Sequence, residues 1–155
     1  MNVCGIDPAN HTGLAVVSLS GELIYSVLLT DSADLQEEMD NLACIGVHQI
    51  VIEEQYVAAN KATALKLARR AGIWAGLAIA YEIPHVFVSP QTWQTQELGC
   101  GARTRRADRK RLAMEKCRGL WPGVDLTQDE ADAALIARYA AVELERLERV
   151  RRLAK

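Results

Sequence analysis

The chain has 155 residues, half of them hydrophobic and a quarter charged, which is enough to bury one core of ordinary size, and no second domain is expected over 1–155. No run approaches the ~20 apolar residues that span a bilayer, and "MNVCGIDPAN" enters a strand-like run without a basic leader or cleavage site, so a cytoplasmic protein with no membrane partner is expected. The net charge of −2 argues against a nucleic-acid partner only on average, because the charge is very unevenly spread.

In chain order, "NVCGID" is a short apolar run with β-branched members. "TGLAVVSLS" and "GELIYSVLLT" read as two more strands joined by a tight turn at Ser20-Gly21, which predicts a three-stranded antiparallel meander. "SADLQEEMDNLACIG" has helical spacing, with Leu35, Met39, Leu42 and Ala43 on one side and Ser32 as cap. "HQIVIEE" is a fourth strand. "NKATALKLARRAGIWAGLAIAYE" is a helix apolar nearly all round, expected to be buried on more than one side. Its Gly72 and Gly76 permit close approach of another element of the chain or of another subunit. "HVFVS" is the fifth strand, and Ser89 and Pro90 cap and start the helix after it. The four cysteines form no C-x-x-C pair and no zinc spacing with histidine. Cys4 and Cys44, in apolar runs, read as core, and Cys100, between two glycines, as a loop residue.

Beyond "LGCG" the charge is concentrated. Residues 103–118, "RTRRADRKRLAMEKCR", hold eight basic residues against Asp108 and Glu115, a local +6 of the kind that phosphates meet, although a solvated helical face has the same composition. The later "ELERLERVRRLAK" alternates acids and bases at helical spacing and reads as such a face. Between them, "TQDEADAALIARYAA" opens with the capping-box spacing of Thr127 and Glu130. At ~3.6 residues per turn the apolar stripe runs Ala133, Ile136, Ala137, Ala140, Leu144, Leu147. Asp129 lies one turn back along it, with Asp132 beside it. Carboxylates aimed at a core require a base or a metal ion.

Two further acids end strands. Asp7 closes the first strand ahead of Pro8, and Glu53 or Glu54 closes the fourth. The order βββαβαβ followed by helices implies a mixed sheet, a meander plus two strands reached by helical crossovers. If the first and fourth strands are adjacent and parallel, these acids meet outside the carboxyl ends of the sheet, where α/β folds build sites. The last helix, crossing that edge, adds Asp129 and Asp132. Four such carboxylates call for hard divalent cations, and two ions ~3.5–4 Å apart can clamp a phosphodiester.

The segments "GIDPANHTGLAVV", "VIEEQYVAANKATALKLARRAG" and "DEADAALIA", spread over nearly the whole chain, resemble the RuvC-type Holliday junction resolvases of the ribonuclease H-like superfamily. The resemblance implies an α/β, ribonuclease H-like fold: a five-stranded mixed sheet flanked by helices, its first three strands an antiparallel meander and its fourth and fifth parallel to the first. It puts the family's catalytic, metal-binding acids on Asp7, Glu53, Asp129 and Asp132, choosing Glu53 over Glu54, with two magnesium or manganese ions. It further implies a homodimer that binds a four-way DNA junction in recombination and repair and nicks two symmetric strands, leaving 5′-phosphate and 3′-hydroxyl ends. Tyr56 matches an aromatic that stacks on junction bases, and Arg105 a basic residue near the scissile phosphate. Arg103, Arg106, Arg109, Lys110 and Lys116 of the same island are the remaining candidate DNA contacts. The chain departs from the family at Gln94, where a second active-site lysine is usual, and at Ala9, where glycine is usual. His11, four residues after Asp7, can reach phosphate or act as an ordinary loop residue.

Two other readings stand beside this one. A related nuclease acting on RNA or an RNA/DNA hybrid would keep the fold and acids, and a non-catalytic junction-binding protein would keep only the basic island.

Overall fold

The computed structural model describes residues 1–9, 11–30, 34–55, 61–101 and 103–153, so Ser32 and Tyr56 lie outside the described residues. In chain order these form β1 (Asn2–Asp7), β2 (Thr12–Ser18), β3 (Leu23–Leu29), α1 (Leu35–Ile45), β4 (Val47–Glu53), α2 (Lys61–Ala80), β5 (His85–Val88), α3 (Pro90–Leu98), α4 (Arg106–Leu120) and α5 (Gln128–Leu153). The strands form one sheet in the order β3-β2-β1-β4-β5. β1 and β3 flank β2 antiparallel, while β4 is parallel to both β1 and β5. This is the mixed sheet expected from the sequence.

Strand alternation sorts the side chains into two cores. Cys4, Ile6, Leu14, Val16, Ile50 and Ile52 face α1 and α2, where Met39, Leu42 and Trp74 complete the packing. Val3, Ala15, Val17, Val51 and Val88 face the other way, toward Trp93, Ala113, Cys117 and the alanines of α5. The sheet is thus buried on both sides, and its central strands read as continuous apolar runs.

α5 lies unusually close to the sheet, and small residues on both surfaces allow it. A Cβ built on Gly5 would stand 2.2 Å from the Ala133 carbonyl oxygen and 2.5 Å from the Ala137 nitrogen. A Cβ on Gly13 would stand 1.9 Å from the carbonyl oxygen of Asp129. Gly13 pairs with Asp7 across the β1–β2 ladder, so the glycine that admits the helix sits beside the acid that ends β1. Ala131, Ala133, Ala134 and Ala137 are fully buried, which explains why this helix is alanine-rich. The capping box forms as the spacing predicts: Glu130 N donates to Thr127 Oγ1 at 3.3 Å, and Thr127 N donates back to Glu130 Oε2 at 3.0 Å.

Several local expectations are corrected. The cap of α1 is Asp34, whose carboxylate accepts from Gln36 N and Glu37 N, rather than Ser32. Cys44 is exposed, because Met39 and Leu42 occupy the buried side of α1. Cys100 does lie in the loop after α3, as expected, although its side chain is buried there. Leu147 is exposed because α5, with 26 residues, outruns the sheet. Finally, α2 is buried on one side only. Ala64, Ala71, Trp74 and Ala78 face the core, while Leu65, Ile73 and Ile79 are exposed and Gly72 and Gly76 face open space among the described residues.

Candidate active site

Asp7 continues the Val3–Gly5 parity of β1 and therefore points to the α5 side of the sheet. Ile6 pairs with Ile52, so the next residue of β4, Glu53, stands level with Asp7. Glu53 shares the parity of Val51 and also faces α5, whereas Glu54 has the opposite parity and is exposed. The start of α5, held down on Gly13, brings Asp129 and Asp132 to the same place. Asp7, Glu53, Asp129 and Asp132 line one pocket together with Gln94, Arg106, Arg109 and Lys110.

The electrostatics follow from this crowding. Burial raises the Asp7 carboxyl well above its usual range, and the charges of Glu53, Asp132 and Asp129 push it further, with Lys110 opposing. Asp132 is raised to about 7 by burial and then by Glu53, against a hydrogen bond from Gln128 Nε2 (3.1 Å) and the charge of Lys110. Glu53 is raised by burial, opposed by the Trp93 indole, which donates to Oε1 at 2.9 Å, by Gln55 and by Arg109. Like charges brought together in a low-dielectric site favour protons or cations in just this way. Among the described residues no group of three or more His, Cys, Asp or Glu side chains is gathered so as to hold a metal ion. Magnesium, however, commonly takes only one or two carboxylates and fills its remaining positions with water and substrate phosphate. The donors that line the pocket are all hard carboxylate oxygens, the ligand type that mode requires.

The basic island divides. Arg106, Arg109 and Lys110, on the first turns of α4, form the cationic wall of the pocket. Arg105 precedes α4, is exposed and pairs with Asp108 at 3.5 Å, and Arg103 is exposed; neither lines the pocket. Lys116 turns away from the site and joins buried Glu97 at 2.7 Å, a structural partner that removes it from the free cations of the island. Gln94 does line the pocket, so the position of the missing lysine borders the acids. Tyr56, the expected stacking residue, lies outside the described residues. Sequence reasoning missed Trp93, which steadies Glu53, and Gly5 and Gly13, which admit α5. A glycine in a strand interior on the α5 side was the available signal for the last two.

The site is therefore an acidic floor with a cationic wall, suited to a phosphate group accompanied by hard cations. No protein-family model matches the chain, and no curated protein matches it in sequence. Solved structures do match. RuvC of Thermus thermophilus in complex with a Holliday junction substrate superposes with a TM-score of 0.73 at 21% identity, covering 94% of this chain and 96% of that one. The yeast mitochondrial Holliday junction resolvase Ydc2 gives 0.61 at 16% identity, over 97% and 82%. The fowlpox virus resolvase complexed with Holliday junction DNA gives 0.57 at 12%, over 93% and 99%. Across almost its whole length the chain has the fold of the RuvC-type Holliday junction resolvases.

Proposed function

We propose that the protein is a cytoplasmic, metal-dependent endonuclease that resolves four-way DNA junctions in recombination and repair. The observation that carries this reading is the convergence of Asp7, Glu53, Asp129 and Asp132 on one pocket walled by Arg106, Arg109 and Lys110. The likeness to structures solved with Holliday junction DNA supports the choice of substrate.

The four acids would hold two magnesium or manganese ions, which, when bound, neutralise the carboxylates and polarise the phosphodiester. The protein supplies the rest. The Trp93 N–H fixes Oε1 of Glu53, and the Gln55 side-chain amide donates to Oε2 at 3.4 Å, so both partners steady the carboxylate where it lines the pocket. Arg106, Arg109 and Lys110 orient the scissile phosphate and counter the charge that builds on it as water attacks in line. With the 3′-oxygen as the leaving group, the P–O3′ bond breaks and the products carry 5′-phosphate and 3′-hydroxyl ends. Arg103 and Arg105, exposed and just ahead of Arg106 in the chain, would extend the positive surface along the DNA backbone, and Tyr56 is the candidate for stacking on junction bases.

Two symmetric nicks need two pockets, and the exposed face of α2 supports a homodimer. Leu65, Ile73 and Ile79 present apolar surface there, and Gly72 and Gly76 leave room for a second helix to approach closely. On the edge strand β5, exposed Phe87 pairs with Ile52 and so lies on the same side of the sheet as α2. No helix among the described residues is long and apolar enough to cross a membrane.

The test is cleavage of a labelled four-way junction beside a linear duplex and an RNA/DNA hybrid, with magnesium or with EDTA, using the parent protein and Asp7→Asn. Paired, metal-dependent nicks confined to the junction and absent from D7N are expected. Cutting of the hybrid alone would move the function to RNA, and binding without cutting would make the protein a junction-binding module.

A further inference from the structure

α3, α4 and α5 each send side chains into the acidic pocket, and a single buried carboxylate joins all three. Glu97, near the end of α3, is 7% exposed. Its Oε2 receives Lys116 of α4 at 2.7 Å and also Arg138 of α5. The Lys116 ammonium donates in addition to the backbone carbonyl of Glu97. One turn earlier on α3, Trp93 donates to Glu53.

The three helices are not equally anchored. α5 rests on the sheet through Gly5 and Gly13. α4 packs chiefly against α3 and α5, and its N-terminus has no side-chain cap. Where Arg109 and Lys110 stand relative to the acids is therefore decided by how α4 docks on α5. That dock combines apolar contacts at Ala113, Cys117, Met114 and Leu120 with the ion cluster at Glu97, the one charged tie between α4 and α5 among the described residues. Without the carboxylate, Lys116 and Arg138 would be two half-buried cations repelling each other across the α4–α5 contact.

We propose that Glu97 is a positioning residue: by binding Lys116 and Arg138 together it holds α4 against α5, so that Arg109 and Lys110 face the pocket acids. The inference rests on the nuclease reading for its consequence, and on the geometry alone for the tie itself.

Glu97→Gln keeps the volume and an acceptor oxygen but removes the charge. Three readouts are compared with the parent: amide hydrogen exchange of α4, Mn²⁺ affinity by titration calorimetry, and single-turnover cleavage of a four-way junction at saturating protein. Exchange in α4 should quicken while the start of α5 stays protected. Withdrawal of two cations from the acids should tighten Mn²⁺ binding about threefold, while misplacement at the phosphate slows cleavage ~10-fold even at saturating protein. Opposite movement of metal affinity and rate is the signature, because general loosening lowers both. Glu97→Asp keeps the charge and should stay near the parent values, and Lys116→Gln, which leaves Glu97 its pair with Arg138 but frees α4 from it, should reproduce the quicker α4 exchange and keeps the test open if Glu97→Gln folds poorly. Unchanged α4 exchange, cleavage at the parent rate, or metal affinity and rate falling together would overturn the assignment. A parent protein that neither cuts junctions nor binds Mn²⁺ would refute the nuclease reading instead, and α4 exchange would then decide the tie by itself.

Discussion

Gly13→Ala should damage stability and chemistry together, and the structure sets the size of the effect. The added Cβ would stand 1.9 Å from the carbonyl oxygen and 2.3 Å from the carbonyl carbon of Asp129, where such contacts essentially never fall below 3.0 Å. Both partners are backbone, so neither can rotate aside, and the start of α5 must retreat by roughly 1 Å. Overpacking of this kind costs about 1–3 kcal/mol, and backbone-to-backbone contact belongs at the upper end. For a domain of this size ~3 kcal/mol corresponds to a fall of roughly 6–12 °C in Tm. The same retreat moves Asp129 and Asp132 away from Asp7, and a misplacement of ~1 Å can cost ~10²-fold in rate. The assays are thermal and urea unfolding, and single-turnover junction cleavage well below Tm. Gly119→Ala, where an added Cβ meets nothing within 4 Å, is the control and should be neutral or stabilising by at most ~1 kcal/mol. If G13A matched the parent in both midpoint and rate, α5 would not rest on β2 as described, and the account of how the acids converge would fail.

Three further outcomes follow from the site. Asp132 has a folded-state pKa of about 7 against an ordinary 3.8, so the metal-free folded protein holds this proton more tightly than the unfolded chain. Stability linked to it is greatest below 3.8 and declines as the pH rises toward 7. Asp132→Asn should flatten that decline and raise the midpoint of the metal-free protein at pH 8, and superimposable pH profiles would exclude the linkage. Replacing Arg109 and Lys110 by Gln should reduce the salt dependence of junction binding by ~2 in log–log slope if each meets a phosphate; an unchanged slope would make this wall mere surface. Ile79 is 67% exposed on α2, so Ile79→Asp should leave unfolding within ~0.5 kcal/mol of the parent. Sedimentation should nevertheless show a dimer converted to monomer, and an unaltered oligomeric state would remove α2 from the interface.

Much of this protein was legible before any fold was known, because local rules govern those parts. Strand and helix order follow from apolar periodicity and turn residues, and the start of α5 from the reciprocal bonding of Thr127 and Glu130. Asp129 and Asp132 stand out on an apolar stripe by spacing alone. The choice between Glu53 and Glu54 needed more. "IVIEE" is apolar on both faces of a doubly buried strand, so alternation gives no direction until β4 is set against β1 and Val51 is seen to face α5. The burial of α2 was overestimated for a related reason: an apolar surface records that a partner is wanted, not whether the same chain provides it. The basic island was one composition but three roles. Arg106, Arg109 and Lys110 wall the pocket, Arg103 and Arg105 face solvent, and Lys116 serves Glu97. Only the docking of α4 separates these roles, since pairing between residues 19 and 41 positions apart, as Glu97 makes with Lys116 and Arg138, leaves no periodic trace in the sequence. Local chemistry wrote the elements and the acids into the sequence, while the close seat of α5 on Gly5 and Gly13 and the tie at Glu97 exist only once distant surfaces meet.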